Sequence, residues 1–305
     1  MFVIYMNDIK PIFKHSLFLL YADDLKCFIK TKLPTFQEDS SDLQSDLRSL
    51  QVWCNDNHLS INTNKSYVMS FTKGRVNLFD YILDGIVLVR VTRVRDLGVS
   101  FTNDFSFNER ITETVSKATK SLGFIMRNAS VFNKIITVKT LFLTLVRSMI
   151  EYACVIWSPF YVFNIIRLER VQNRFLRFAA RLLNIPFDFY THDYKHLRVK
   201  MNIPTLTSRF YFSDMSFLYR LLNGAIYCPS LLSMVNLRVP RTITRFNTLF
   251  SVPFHRTNYG NNSLIHRLCR EANSIESDVD FFDTNALRFS LRLRSLLFNS
   301  NRYVT

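Results

Sequence analysis

The chain has 305 residues, 48% of them hydrophobic, and a formal net charge of +15. That length and apolar share suit about two packed domains and exclude a disordered chain, while the charge favours a polyanionic partner, nucleic acid ahead of an anionic membrane surface. Five scattered cysteines (27, 54, 154, 228 and 269) form no Cys-x-x-Cys pair, which excludes a zinc knuckle or disulfide framework and fits a reducing, intracellular compartment, nuclear or cytoplasmic.

In chain order, the apolar opening Met1–Met6 gives way to Asn7, Asp8 and Lys10 too early for a secretory signal core. Leu17–Tyr21 and Leu25–Ile29 flank a brief polar break and predict a buried hairpin with Asp23 and Asp24 at its turn. After Pro34 a helix is predicted from near Asp39–Asp42, with Leu43, Leu47, Leu50, Trp53 and Cys54 on one face and Asn55, Asn57 and His58 at its end. Leu59, Ile61, Tyr67, Met69 and Phe71 suggest strand. Asp84-Gly85 between Tyr81–Leu83 and Ile86–Val89 is a hairpin signal, and Leu97, Val99 and Phe101 alternate again. Together these predict a small, mostly antiparallel sheet with a helix over it.

From Phe107 the period becomes helical: Phe107, Ile111, Val115, Ala118, Leu122 and Ile125 step by three or four. Further helices are expected over Thr137–Ile156, Phe163–Leu183, Pro204–Asn223, Leu264–Ala272 and Ala286–Leu297. The apolar stretch Val138–Ile166 carries Lys139, Arg147 and Glu151 and is read as a helix that does not span a membrane. The six glycines stand far apart, so no glycine-rich phosphate loop is expected.

The chemistry concentrates in Tyr21-Ala22-Asp23-Asp24. Adjacent carboxylates at one turn repel, and one is driven toward protonation unless a cation lies between them. Mg²⁺ suits such a pair because it binds one or two carboxylates together with substrate phosphates. A solvated Asp-Asp turn is the alternative for these four residues alone.

This turn resembles the tyrosine-x-aspartate-aspartate hairpin of reverse transcriptases, and other blocks extend the likeness to those of non-LTR retrotransposons. Phe2–Ile9 is similar to the segment that leads into that hairpin. Leu43-Gln44 through Asn57, then Leu59-Ser60-Ile61-Asn62 and Asn64-Lys65-Ser66, resemble the fourth palm motif. Leu97-Gly98-Val99-Ser100-Phe101 resembles the primer grip. Ser148–Ala153, Ile156-Trp157 and Leu168–Leu176-Arg177 resemble the thumb of jockey-type elements, and Pro253–Gly260 their carboxy-terminal extension.

The resemblance implies an α+β fold: a truncated antiparallel palm sheet with a packed helix over residues 1–105, a helical thumb-like domain over 106–235, and an extension over 236–305. It implies RNA-directed DNA polymerase chemistry with Mg²⁺ on Asp23 and its less essential neighbour Asp24. Tyr21 would lie near the primer terminus, Lys65 would act as general acid toward pyrophosphate, and Leu97 and Gly98 would let backbone approach the primer. The partners implied are an RNA template, a DNA primer and their hybrid, with no membrane and no small-molecule cofactor. The family's further catalytic aspartate precedes the hairpin and has no counterpart in this sequence, so the expectation is a carboxy-terminal part that is inactive alone and leaves apolar surface where the fingers and remaining palm dock.

The basic face of the thumb needs no resemblance. Arg167, Arg170, Arg174, Arg177 and Arg181 fall within about 80° of one helix face at 3.6 residues per turn. Val171, Phe175, Phe178 and Leu182 are expected to anchor the adjacent face in the core. Glu169 is the one acid in that run, so the row suits phosphates along a strand better than a balanced salt-bridge face. Two alternatives remain at this level, a non-enzymatic nucleic-acid-binding remnant and an unrelated metal-dependent phosphoesterase using Asp23 and Asp24. His192 with His196, and His266 with Cys269, lack the partners a metal site needs.

Overall fold

The computed structural model describes residues 6–72, 74, 77–129, 134–186, 193–238, 248–275 and 277–299. Two compact units divide the chain, Met1–Ser106 and Phe107–Thr305, in a mixed helix-and-sheet fold dominated by helix.

In the first unit, strands β1 (Leu17–Tyr21) and β2 (Asp24–Phe28) form an antiparallel hairpin, pairing Tyr21 with Asp24 and Leu17 with Phe28. Helix α1 (Phe36–Asp56) packs behind it. Leu50, Trp53 and Cys54 of α1 meet Phe18, Leu20 and Leu25 of the hairpin, together with Met6 and Ile9. The helix starts three residues before the predicted Asp39. The Asp39 carboxylate reaches back to accept from the Lys32 amide (3.0 Å) and the Thr35 hydroxyl (2.9 Å), which ties down the turn that launches it.

The hairpin is not buried, contrary to the sequence expectation. Side chains alternate across a strand, and only one face meets α1. Leu17, Leu19, Tyr21 and Phe28 share the other, with Leu19 58% and Tyr21 65% exposed. The expected strand over 59–71 also contracts to β3 (Tyr67–Val68), because a 3₁₀ turn at Thr63–Lys65 bends the chain before it.

Beyond β3 come β4 (Ile82–Leu83) and β5 (Ile86–Val87), joined through Asp84 and Gly85, both at positive φ. That is the left-handed pair a two-residue hairpin turn requires. β6 (Val89–Arg90) pairs parallel with β3. β7 (Arg93–Asp96) and β8 (Val99–Thr102) form a second antiparallel hairpin. The predicted single sheet is thus four two-stranded pieces among the described residues, three antiparallel and one parallel. Side chains of α1 stand in for missing strand neighbours. Gln44 accepts from the Ile82 amide and donates to its carbonyl (both 2.8 Å), and Gln51 does the same for the Asp84 amide and carboxylate.

In the second unit, α2 (Asn108–Asn128) presents Ile111, Ala118, Leu122 and Ile125 to the core as predicted. The expected helix over 137–156 is interrupted. α3 (Ile135–Leu141) continues through a π-helical turn (Phe142–Arg147) and one α-turn (Ser148–Glu151), then breaks where Ala153 takes φ +53°. The Trp157 indole N–H donates to the Tyr152 carbonyl freed at that break (2.8 Å), so the chain turns without leaving it unpaired.

The longer helices that follow are α4 (Val162–Leu182), α5 (Lys195–Met201), α6 (Leu206–Leu222), α7 (Leu264–Asn273) and α8 (Ala286–Arg294). α4 lies along α2, with Asn164 donating to Asn108 (2.8 Å), and stacks Phe175 on Phe142 with ring centroids 4.0 Å apart. α6, α7 and α8 enclose a second cluster around Met215, Leu218, Leu268, Phe281 and Phe289. All five cysteines are free thiols. No helix among the described residues is long and apolar enough to cross a membrane.

Candidate active site and nucleic-acid interface

Asp46 prepares the hairpin. It is 1% exposed on the buried face of α1, where a charge needs partners. Its carboxylate accepts from the amides of Lys14, His15 and Ser16 (3.0, 3.0 and 2.7 Å) and from the Ser16 hydroxyl (2.7 Å), fixing the chain immediately before β1. Burial pushes its pKa up, but the hydrogen bonds outweigh that and leave it below the ordinary value. The sequence carried a weak signal for this role, an acid inside the apolar stripe between Leu43 and Leu47.

At the far end of β1 the chain turns through Ala22, at φ +52°, and Asp23. Asp23 and Asp24 are both exposed, and Asp24 shares the open face with its cross-strand partner Tyr21. Lys26, two residues along that face, is engaged elsewhere: its ammonium meets the Asp96 carboxylate at 2.6 Å. That ion pair ties the first hairpin to the β7–β8 hairpin, whose turn is Leu97 (φ +44°) and Gly98 (φ +81°). The Asp23–Asp24 and Leu97–Gly98 turns are therefore linked through one salt bridge.

Lys65 closes the 3₁₀ turn after α1 and is exposed. Among the described residues no hydrogen bond or ion pair joins it to Asp23 or Asp24. Nor does any group of three or more His, Cys, Asp or Glu side chains there suit a metal ion. Two adjacent carboxylates at an open turn offer the hard oxygen donors that Mg²⁺ takes, and Mg²⁺ commonly completes its shell with phosphate oxygens and water. The pair fits half of such a site.

Along α4, the arginine row lies on the outer face. Arg170, Arg174 and Arg181 are exposed and Arg167 and Arg177 half-buried. Arg167 donates to the Thr112 hydroxyl of α2 (3.0 Å) and its guanidinium lies 5.4 Å from the centre of the Phe163 ring. No carboxylate pairs with Arg170, Arg174 or Arg177 among the described residues. Glu169 points away from the row, accepting from the Leu206 amide (2.5 Å) and pairing with Arg198 (3.6 Å); its burial raises its pKa despite Arg198. Glu169 is thus engaged away from Arg170, Arg174 and Arg177.

The core side of α4 differs from the expectation in one residue. Leu168, Val171, Phe175, Leu176 and Ala179 are buried and Phe178 is half-buried, but Leu182 is 46% exposed at the last turn. Of the aromatic residues near the start of the row, Trp157 belongs to the core, whereas Tyr152 and Tyr161 are about half exposed. His266 sits between the carbonyls of Pro253 and Asn261, a packing role. His192 lies outside the described residues. No protein-family model, curated protein or solved structure matches this chain.

Proposed function

We propose that the chain carries the catalytic hairpin, thumb and carboxy-terminal extension of a reverse transcriptase of the non-LTR retrotransposon kind, and that by itself it holds nucleic acid without extending a primer. The observation that supports this most is the Tyr21–Asp24 turn, a two-carboxylate tip on an antiparallel hairpin backed by an amphipathic helix. Asp23 and Asp24 would hold Mg²⁺ with the phosphates of a bound nucleotide, and the ion would supply charge neutralisation at the reacting phosphate. Tyr21, on the face of Asp24, would contact the primer terminus, and the Leu97–Gly98 turn, tied to that hairpin through Lys26 and Asp96, would let the primer backbone approach. Lys65 would offset charge on departing pyrophosphate. The arginines of α4 would run along the phosphates of an RNA–DNA hybrid in an intracellular compartment.

With two carboxylates and no third ligand among the described residues, the attacking and leaving oxygens would lack their shared clamp. The same observation favours a second reading, in which the chain serves only to bind nucleic acid. The experiment is a salt titration of a labelled RNA–DNA hybrid alongside a primer-extension assay with Mg²⁺ and nucleotides. Each phosphate contact contributes a log–log slope of about −0.9, so replacing Arg170, Arg174 and Arg177 together should make the slope shallower by about two to three. No extension is expected. Extension abolished by Asp23→Asn would show a complete catalyst, and an unchanged slope in the arginine variant would remove the interface.

A further inference from the structure

We propose that the amino-terminal end of the arginine row is a stacking platform for unpaired bases, so that the arginines hold the phosphates of a hybrid while the head of the row adds affinity for a strand left unpaired. The inference rests on reading α4 as a nucleic-acid interface and names the form of nucleic acid that its head favours.

At 100° per residue, Phe163 lies in the same sector of α4 as the five arginines, four residues before Arg167. The row is therefore one aromatic ring followed by five guanidinium groups, about 27 Å from end to end. Phe163 is 66% exposed, and Val162 and Ile166 beside it are also open. Tyr161, which precedes the helix, is half exposed and packs its ring on Phe160 with centroids 4.2 Å apart. These residues are not needed to fill the core of α4, because Leu168, Phe175, Leu176 and Ala179 already do so at 0% exposure. A cluster of large apolar side chains left open at the head of a charged row marks an interaction surface.

Charge decides the occupant. An apolar protein partner would have to bury Arg167 and Arg170 with no carboxylate among the described residues paired to them, whereas a polynucleotide supplies phosphates to the arginines and flat bases to the rings. A duplex hides its base faces inside the stack, so Phe163 would meet only sugar edges. A single strand exposes them, and base–aromatic stacking tolerates any sequence because every base has a π-face. Arg167, lying over the Phe163 ring and held by Thr112, keeps that ring in place before a base arrives.

The test uses fluorescence anisotropy on the full chain with three labelled probes: an oligothymidine of about ten nucleotides, an abasic strand with the same phosphates, and a blunt duplex. The oligothymidine should bind about tenfold or more tighter than its abasic counterpart. Phe163→Ala combined with Tyr161→Ala should erase that difference while leaving abasic and duplex affinities unchanged, and Phe163→Trp should retain it. Both rings are exposed, so unaltered circular dichroism is expected for these variants. Equal binding of the base-bearing and abasic strands, or an alanine variant that changes nothing while the Arg170, Arg174 and Arg177 variant weakens every probe, would overturn the platform and leave the phosphate interface standing. If the arginine variant weakens none of them, the interface itself fails and the platform with it.

Discussion

The first unit packs one face of its candidate hairpin on a helix and adds polar bonds between distant segments, whereas the second holds its arginine row with packed apolar side chains. Around the Asp23–Asp24 hairpin, order comes from Asp46 gripping three amides, from Gln44 and Gln51 against the β4–β5 hairpin, and from the Lys26–Asp96 ion pair, while one whole face stays open. Behind the arginine row, Phe142, Leu168, Phe175 and Leu176 are fully buried. A charge-assisted hydrogen bond is directional and fails all at once when its acceptor is lost, but a packed core loses stability in proportion to the volume removed. The two regions should therefore respond to different kinds of substitution.

The largest expected effect is in the helical unit. Phe175→Ala should destabilise it by about 3–5 kcal/mol, because the ring stacked on Phe142 leaves a cavity that α2 and α4 cannot close. In the hairpin, Leu19→Ala should change stability by less than about 0.5 kcal/mol, since that side chain is already open to water. Denaturant unfolding, with hydrogen exchange assigning the loss to one unit, checks the pair. Comparable losses at the two positions would mean that the open face of the hairpin is covered in solution.

Next is Asp46→Ala, expected to cost about 3 kcal/mol through buried donors left unpaired. The loss should be confined to protection of the hairpin amides around Ser16–Tyr21, and Asp46→Asn should recover only part of it, because an amide oxygen replaces one acceptor but its NH₂ faces the donors. The lowered pKa of Asp46 fixes the sign with pH. Its contribution is present above the ordinary value of 3.8 and is lost as pH falls through the lower folded value. Hairpin protection that survives acid unchanged would contradict this anchor.

These anchors show where the sequence could be read and where it could not. Features set by neighbours along the chain were legible: the Asp84–Gly85 turn, where both residues must take positive φ, and α2 with its steps of three and four. What escaped depends on contacts over thirty residues or more, such as Asp46 to Ser16, or on chemistry that residue type does not announce. Ala153 occupies left-handed backbone that glycine usually takes, so that break in regular structure had no sequence mark. The apolar run at Leu17–Tyr21 read as buried on both faces, because a continuous hydrophobic strand does not reveal that one side lacks a partner. Of the candidate site, the turn and the arginine sector were visible, but the engagement of Lys26 by Asp96 was not.

The smallest effect separates the units by pH. In the helical unit Arg267 holds Asp214 (3.1 Å) and the Val155 carbonyl, while Glu271 on the same helix keeps a buried carboxyl oxygen without a partner. Burial, followed by the nearby Asp214 charge, pushes the Glu271 carboxyl up to about 8, against the opposing pull of Arg267 and Arg270. Burial raises Asp214 as well, opposed by Arg267. A folded pKa above the ordinary 4.5 means that the folded state binds the extra proton, so this contribution is full below pH 4.5 and is lost as pH rises through about 8. The helical unit should accordingly lose stability between those limits, and the hairpin unit, whose anchor Asp46 has its pKa lowered, should not follow it. Glu271→Gln removes the titrating group, so its stability should fall less over the same range, leaving only the share that belongs to Asp214. Thermal unfolding of wild type and Glu271→Gln from pH 5 to 9 reads the difference directly, and parallel curves for the two proteins would show that the Glu271 carboxyl is ionised in the fold and finds its donor from water.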